Sequence, residues 1–220
     1  MTPRWQALAA LMDQVRRTLY EHVRARPRPV SRDDAAAAVG ISRNLAAFHL
    51  DKLVDAGLLT ARYENPPGRA RGPGRIPKVY EPSDLQLTLT IPERRYDLLG
   101  DILVEAVAHH PDDVQRAALR IAAERGAAIG RAADTTPDLA ATIERLLADL
   151  GYEPEHHETT TLLRNCPFHR LAQQEPALVC GINHAFLQGL LDGLGETGTR
   201  AVLAPRPPAC CVELHESTEN

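Results

Sequence analysis

Apolar residues recur at spacings of three and four through Leu8, Leu11, Met12, Val15, Leu19 and Val23, which predicts one amphipathic helix over about residues 4–26. Pro27 and Pro29 stop it. Ser31 followed by Asp34 is a capping-box-like start, with Asp standing where Glu or Gln is usual, for a short Ala-rich helix ending near Val39 and Gly40. Ser42 caps a second helix that runs to about Ala56 and is closed by Gly57. Leu58 to Tyr63 then reads as a strand and Lys78 to Glu81 as its partner across the loop NPPGRARGPGRIP, the pattern of a wing.

Pro82, Ser83 and Asp84 mark a domain boundary, dividing the chain into residues 1–84 and 85–220. Leu85 to Ile91 alternates apolar and polar positions and predicts a strand. Helices are expected at about 93–108, 112–133 and 137–150. A strand over 159–164, a short helix after Pro167, a longer helix over 177–194 and strands near 199–204 and 209–215 complete the pattern. The fold class expected is α+β: an N-terminal winged helix-turn-helix domain, then an α+β sensor domain whose cysteines come late.

Hydrophobic and charged fractions of 44% and 25% are those of an ordinary globular chain. No run approaches the roughly 18 apolar residues of a membrane span, and the apolar stretch in MTPRWQALAALMDQ is too short for a secretion signal. A cytoplasmic protein with no membrane partner is therefore expected, and there its four cysteines are kept reduced. The net charge of -4 hides an asymmetry: residues 1–82 hold 14 Lys+Arg against 8 Asp+Glu, the remainder 11 against 21. A basic head on an acidic body suits a protein that touches phosphate with one end.

The segment VSRDDAAAAVGISRNLAAFHLDKLVDAGLLTARY has a short positioning helix, a tight turn and a longer second helix. Ile41, Ala46, His49, Leu50 and Leu53 fall on one face and are expected to pack inward, whereas Arg43, Asn44, Ala47 and Phe48 face out near the N-terminal end. Arg43 and Asn44 are the candidates for base readout, since Arg pairs bidentately with guanine and Asn with adenine; Ala47 permits close approach to a thymine methyl. Ser31 and Ser42, at the two helix N-termini, suit phosphate. Arg69, Arg71, Arg75 and Lys78 make the wing a second basic element for a minor groove or phosphates.

The run ISRNLAAFHLDKLVDAGLL followed by GRIPKVYEPS resembles the winged-helix domain of bacterial ArsR-type regulators, and the Suf-operon repressor group in particular, over about residues 10–84. The resemblance implies a homodimer acting on a palindromic double-stranded DNA operator. Two heads related by a two-fold axis read half-sites about 34–36 Å apart or a multiple of it.

The late segment LLRNCPFHRLAQQEPALVCGINHAFLQGLLDGLG with APRPPACCVEL gathers soft ligands: Cys166, His169, Cys180, Cys210 and Cys211. Thiolate and imidazole suit zinc or iron–sulfur chemistry. Cys210 and Cys211 are expected on a strand, where neighbours point to opposite faces, so only one of them is expected to ligate. The Suf-type resemblance implies an iron–sulfur cluster on Cys166, Cys180 and one of Cys210 or Cys211. The long gap before the last pair and the CPFH sequence depart from that pattern, which leaves a Cys/His zinc site, a small-molecule effector pocket or no metal as alternatives. An enzyme with Cys166 as nucleophile and His169 as base is the remote one; no third orienting group stands at a recognisable spacing, so no catalytic residues are expected.

Overall fold

The computed structural model describes residues 3–64, 76–135, 138–207 and 209–216, and the chain divides into two compact units, Met1–Leu89 and Thr90–Asn220. The first unit runs α1 (Pro3–Met12), α2 (Gln14–Arg24), β1 (Val30–Ser31), α3 (Arg32–Val39), α4 (Arg43–Asp55), β2 (Leu59–Tyr63) and β3 (Lys78–Pro82). The predicted helix over 4–26 is two helices. Asp13 breaks it: its backbone is extended (φ -72°, ψ 125°) and its carboxylate accepts the Arg16 N–H at 2.9 Å, capping α2. A periodic apolar stripe passes across such a break unchanged, so periodicity alone does not reveal it.

The next two helices follow their caps. Ser31 Oγ accepts from the Asp34 N–H at 3.2 Å and donates to Asp34 Oδ2 at 2.7 Å, while Ser42 Oγ accepts from the Leu45 N–H at 3.2 Å. Gly40 closes α3 with φ of 72°, a left-handed conformation that a side chain would strain. Leu19, Leu50 and Leu53 are fully buried with Leu59 and Tyr80; each such leucine contributes about 1.5–3 kcal/mol.

Strand β1, which the sequence reading does not anticipate, pairs antiparallel with β3, and the order among the described residues is β1-β3-β2. Ser31 lies opposite Val79, beside Lys78, so it stands at the end of the sheet from which β2 and β3 enter the loop. Residues 65–75 of that loop, with Arg69, Arg71 and Arg75, lie outside the described residues.

The alternating segment over 85–91 is not a strand. Leu85, Leu87, Leu89 and Ile91 are exposed, and the Leu85 N–H donates to Ser83 Oγ rather than to a ladder. Alternation fixes which way side chains point, but a strand also needs a neighbouring backbone.

The second unit comprises α5 (Tyr96–His109), a 3₁₀ turn (Pro111–Asp113), α6 (Val114–Ala132), α7 (Leu139–Asp149), β4 (Pro154–His157), β5 (Thr160–Leu163), α8 (His169–Gln174), α9 (Pro176–Leu194), β6 (Thr199–Leu203) and β7 (Val212–Glu216). Its strands form an antiparallel sheet in the order β4-β5-β7-β6; β4 is again an addition to the sequence reading. Ile102, Ile121, Phe168, Phe186, Leu190 and Val212 fill the core between helices and sheet.

At 19 residues and a mean hydropathy of 1.2, α9 is long and apolar enough to cross a membrane by length and composition. Asn183, His184, Gln188 and Asp192 interrupt its apolar run, and Ile182, Phe186, Leu187 and Leu190 are buried within the second unit.

Candidate nucleic-acid interface and cysteine cluster

The first turn of α4 presents its side chains outward. Arg43, Asn44 and Leu45 are exposed, Phe48 is 54% exposed and Ala47 is half-buried, while Ala46, His49, Leu50 and Leu53 are buried and Ile41 is half-buried. Phe48 stands edge-on to His49 with ring centroids 5.3 Å apart. His49 Nδ1 lies 4.0 Å from Asp13 Oδ1 and has no hydrogen-bond partner, so the ring is buried as expected but not hydrogen-bonded through that nitrogen.

Arg43 Nε lies 2.6 Å from Asp33 Oδ1, an exposed pair joining the two helices across their turn. The remaining hydrogen-bonding capacity of Arg43 faces solvent, where a base edge or phosphate can compete for it. Lys78 Nζ lies 2.6 Å from Asp51 Oδ1 on α4, and Tyr80 Oη donates to the same oxygen at 3.0 Å. Burial, followed by the bond to Asp51, pushes the Tyr80 hydroxyl well above its usual range. Asp51 therefore ties the start of β3 to α4. The sequence reading missed this role because nothing in a linear pattern pairs a helix position with a strand 27 residues later.

In the second unit three separated segments bring the cysteines together. The Cys210 N–H donates to Leu163 O at 2.8 Å, which sets Cys210 beside the end of β5 and so near Cys166. The Ala204 N–H donates to Cys211 O at 2.8 Å, fixing Cys211 at the end of β6. Cys180 comes from the early turns of α9. The thiols are near enough to act on one another's titration, Cys166 with Cys210, Cys210 with Cys211, and Cys211 with Cys180.

That proximity corrects one expectation. Cys210 and Cys211 lie in the bend before β7, not on a strand, so alternation does not separate them and both join the cluster. As placed, no group of three or more His, Cys, Asp or Glu among the described residues is spaced to hold a metal ion. His169 joins only through its backbone, donating to Cys166 O at 3.0 Å.

Cys166, Cys180 and Cys210 are pushed toward the neutral form. The bond with Cys210, then burial, pushes Cys166 far above the usual thiol range. Cys210 is lowered by its bond with Cys166 but raised more by its bond with Cys211 and by burial, and is pushed up to about 12. Burial raises Cys180, against a lowering bond with Cys211. Such groups are poor nucleophiles until a metal or base removes the proton.

Two buried polar groups frame the cluster that residue patterns did not single out. Arg94 Nη1 donates to Cys166 O at 2.9 Å and also to Asn165 Oδ1, while Asn165 Nδ2 donates to Glu93 O at 3.0 Å. Asn183 Nδ2 donates to Cys210 Sγ at 3.2 Å and its Oδ1 accepts from Tyr152 Oη. The available signal is an Asn three residues after Cys180 on a largely apolar helix.

No curated protein and no solved structure matches the chain. Residues 11–62 match a family described as a helix-turn-helix domain, which takes in α2, α3, α4 and most of β2 and supports a DNA-binding regulator.

Proposed function

We propose that the chain is a sequence-specific transcriptional repressor of the ArsR type. It acts as a homodimer on a palindromic operator, and its second unit reports iron or redox state through a cysteine-held iron–sulfur cluster. The reading of DNA rests on the capped N-terminal turn of α4, where Arg43 and Asn44 are exposed and Arg43 pairs with Asp33 of the helix that Ser31 caps. A turn of this kind enters the major groove with its first residues on base edges, and Arg69, Arg71 and Arg75 supply the wing's share of phosphate or minor-groove contact.

The observation that carries the sensing half is the convergence of the cysteine-bearing segments, with the Cys210 N–H on Leu163 O and the Ala204 N–H on Cys211 O. Cys166, Cys180, Cys210 and Cys211 come from three separated segments, and thiolate is the ligand type that suits iron–sulfur or zinc and not magnesium or calcium. The cluster is assigned to Cys166 and Cys180 with Cys210 or Cys211; His169 meets the cysteines through its backbone N–H. When bound, such a group supplies an iron- and oxidant-sensitive link. The residues do the rest, since they join the Cys166 turn, α9 and the approach to β7, so that loss of the link frees three segments together.

Anaerobically purified full-length protein is expected to be brown, with iron and acid-labile sulfide, and to lose or gain operator affinity when oxidised. Stoichiometric zinc without iron overturns the cluster and leaves a zinc site. Operator binding that ignores oxidant and chelator alike overturns sensing by the cysteines.

A further inference from the structure

From α4 onward, each cation among the described residues of the first unit faces a carboxylate: Arg43 meets Asp33, Lys52 meets Asp55, Arg62 meets Glu64 and Glu81, and Lys78 meets Asp51. Arg24, Arg26 and Arg28 differ. All three are exposed, and among the described residues none makes a side-chain hydrogen bond or ion pair. A helix C-terminus favours positive charge, which accounts for His22 and Arg24 in the last turn of α2. It does not account for Arg26 and Arg28, because that field fades within the turn and α2 is closed at Ala25.

Arg26 and Arg28 each stand before a proline, Pro27 and Pro29, which disfavours helical backbone at both arginines. The two cations are therefore presented from a restricted chain, and an ion bound by them costs less ordering. Both line a cleft of about 430 Å³ between the end of α2 and α3. Pro29, Ala37 and Ala38 give the cleft apolar walls. Its carboxylate, Asp34, is already engaged, accepting the Ser31 hydroxyl at 2.7 Å. Small-molecule sites span about 300–1,000 Å³ and are built in this way, with apolar walls and a few charged groups.

We propose that this cleft is a binding site for a small organic acid, its phosphate or carboxylate oxygens on Arg26 and Arg28 and its apolar body against Pro29, Ala37 and Ala38. The planar guanidinium fork matches either oxyanion, and neither arginine has a carboxylate to release first. A duplex backbone would use the cations and leave the apolar concavity empty, whereas a compact acid uses both. The site lies within the first unit and depends on neither the cysteines nor the readout by α4.

The test titrates phenyl phosphate, benzoate and uncharged benzyl alcohol into full-length protein free of DNA, in phosphate-free buffer, by isothermal titration calorimetry. At least one of the two acids is expected to saturate and to bind at least about tenfold tighter than the alcohol, and the tighter acid identifies the head group. Arg26→Gln with Arg28→Gln is expected to weaken that acid roughly 10–100-fold, the effect of losing a charge-assisted hydrogen bond. Ala38→Leu fills the cleft from an exposed helix position where Leu is well tolerated; it is expected to weaken the acid with both arginines in place, and it carries the test if the arginine variant does not fold. No saturable binding of either acid, equal binding of the alcohol, or variants that bind as the wild type does overturns the proposal. A salt slope of DNA binding lowered by about 0.9 for each arginine, with unaltered acid affinity, overturns it too and assigns the cations to backbone phosphate. A chain that binds the acid but no DNA overturns the DNA reading and leaves this inference standing.

Discussion

Arg43 and Asp33 are both more than half exposed in their ion pair. An exposed pair contributes only about 0–1 kcal/mol, so a guanine edge can displace the carboxylate. Arg43→Ala is expected to cost about 1–3 kcal/mol on the operator and little on random DNA; equal losses by fluorescence anisotropy would reduce Arg43 to a phosphate contact. Asp33→Ala removes both the competitor and a negative charge from the same surface, and its operator affinity should equal or exceed the wild type's. Weaker binding at unchanged stability would mean that the pair pre-sets the arginine.

Among the elements, the contact between α6 and α9 sets the narrowest tolerance. Gly189→Ala forces the helices apart, since its Cβ has only the Ala123 carbonyl to meet. It is expected to destabilise by at least the 1–3 kcal/mol typical of overpacking. Gly100→Ala in α5 meets nothing within 4 Å and should stabilise by about 0.5–1 kcal/mol. Urea unfolding of the two variants checks the contrast, and a neutral Gly189→Ala would show that the helices can separate freely.

The β4–β5 hairpin carries a pH signature. The hydrogen bond from Arg164 holds the Glu155 carboxyl at about 2 against an ordinary 4.5. A lowered carboxylate stabilises the fold fully above 4.5 and loses that contribution as the pH falls through about 2. The melting-temperature difference between wild type and Glu155→Gln should therefore be constant above 4.5 and shrink below it. The pair is exposed, so the effect is small and falls with added salt.

For the whole molecule, DNA affinity should fall with salt in proportion to the phosphates neutralised. Lys78 lies at the sheet end leading to the wing but is bonded to Asp51. If it also meets phosphate, Lys78→Met lowers the salt slope by about 0.9; an unchanged slope assigns it to holding the start of β3 on α4. Cys166→Ser is expected to abolish the metal centre and alter operator affinity, and unchanged metal content would remove Cys166 from the ligands.

Sequence alone determined what local physics decides. Ser31, Ser42 and Gly40 mark α3, α4 and the turn between them because caps and left-handed glycine act within a few residues. The outward set on α4 follows from a 3.6-residue period. Tertiary structure decided whatever depends on a distant partner. Residues 85–91 have the alternation of a strand without a ladder, while β1 and β4 are too short for a pattern and exist because β3 and β5 lie alongside them. Asp51 meets Lys78, and Asn183 meets Cys210, across separations that no local rule spans. Cysteine spacing placed soft ligands late in the chain, but only the folded path before β7 turned Cys210 and Cys211 into one cluster, because direction on a bend, unlike that on a strand, is not set by counting residues.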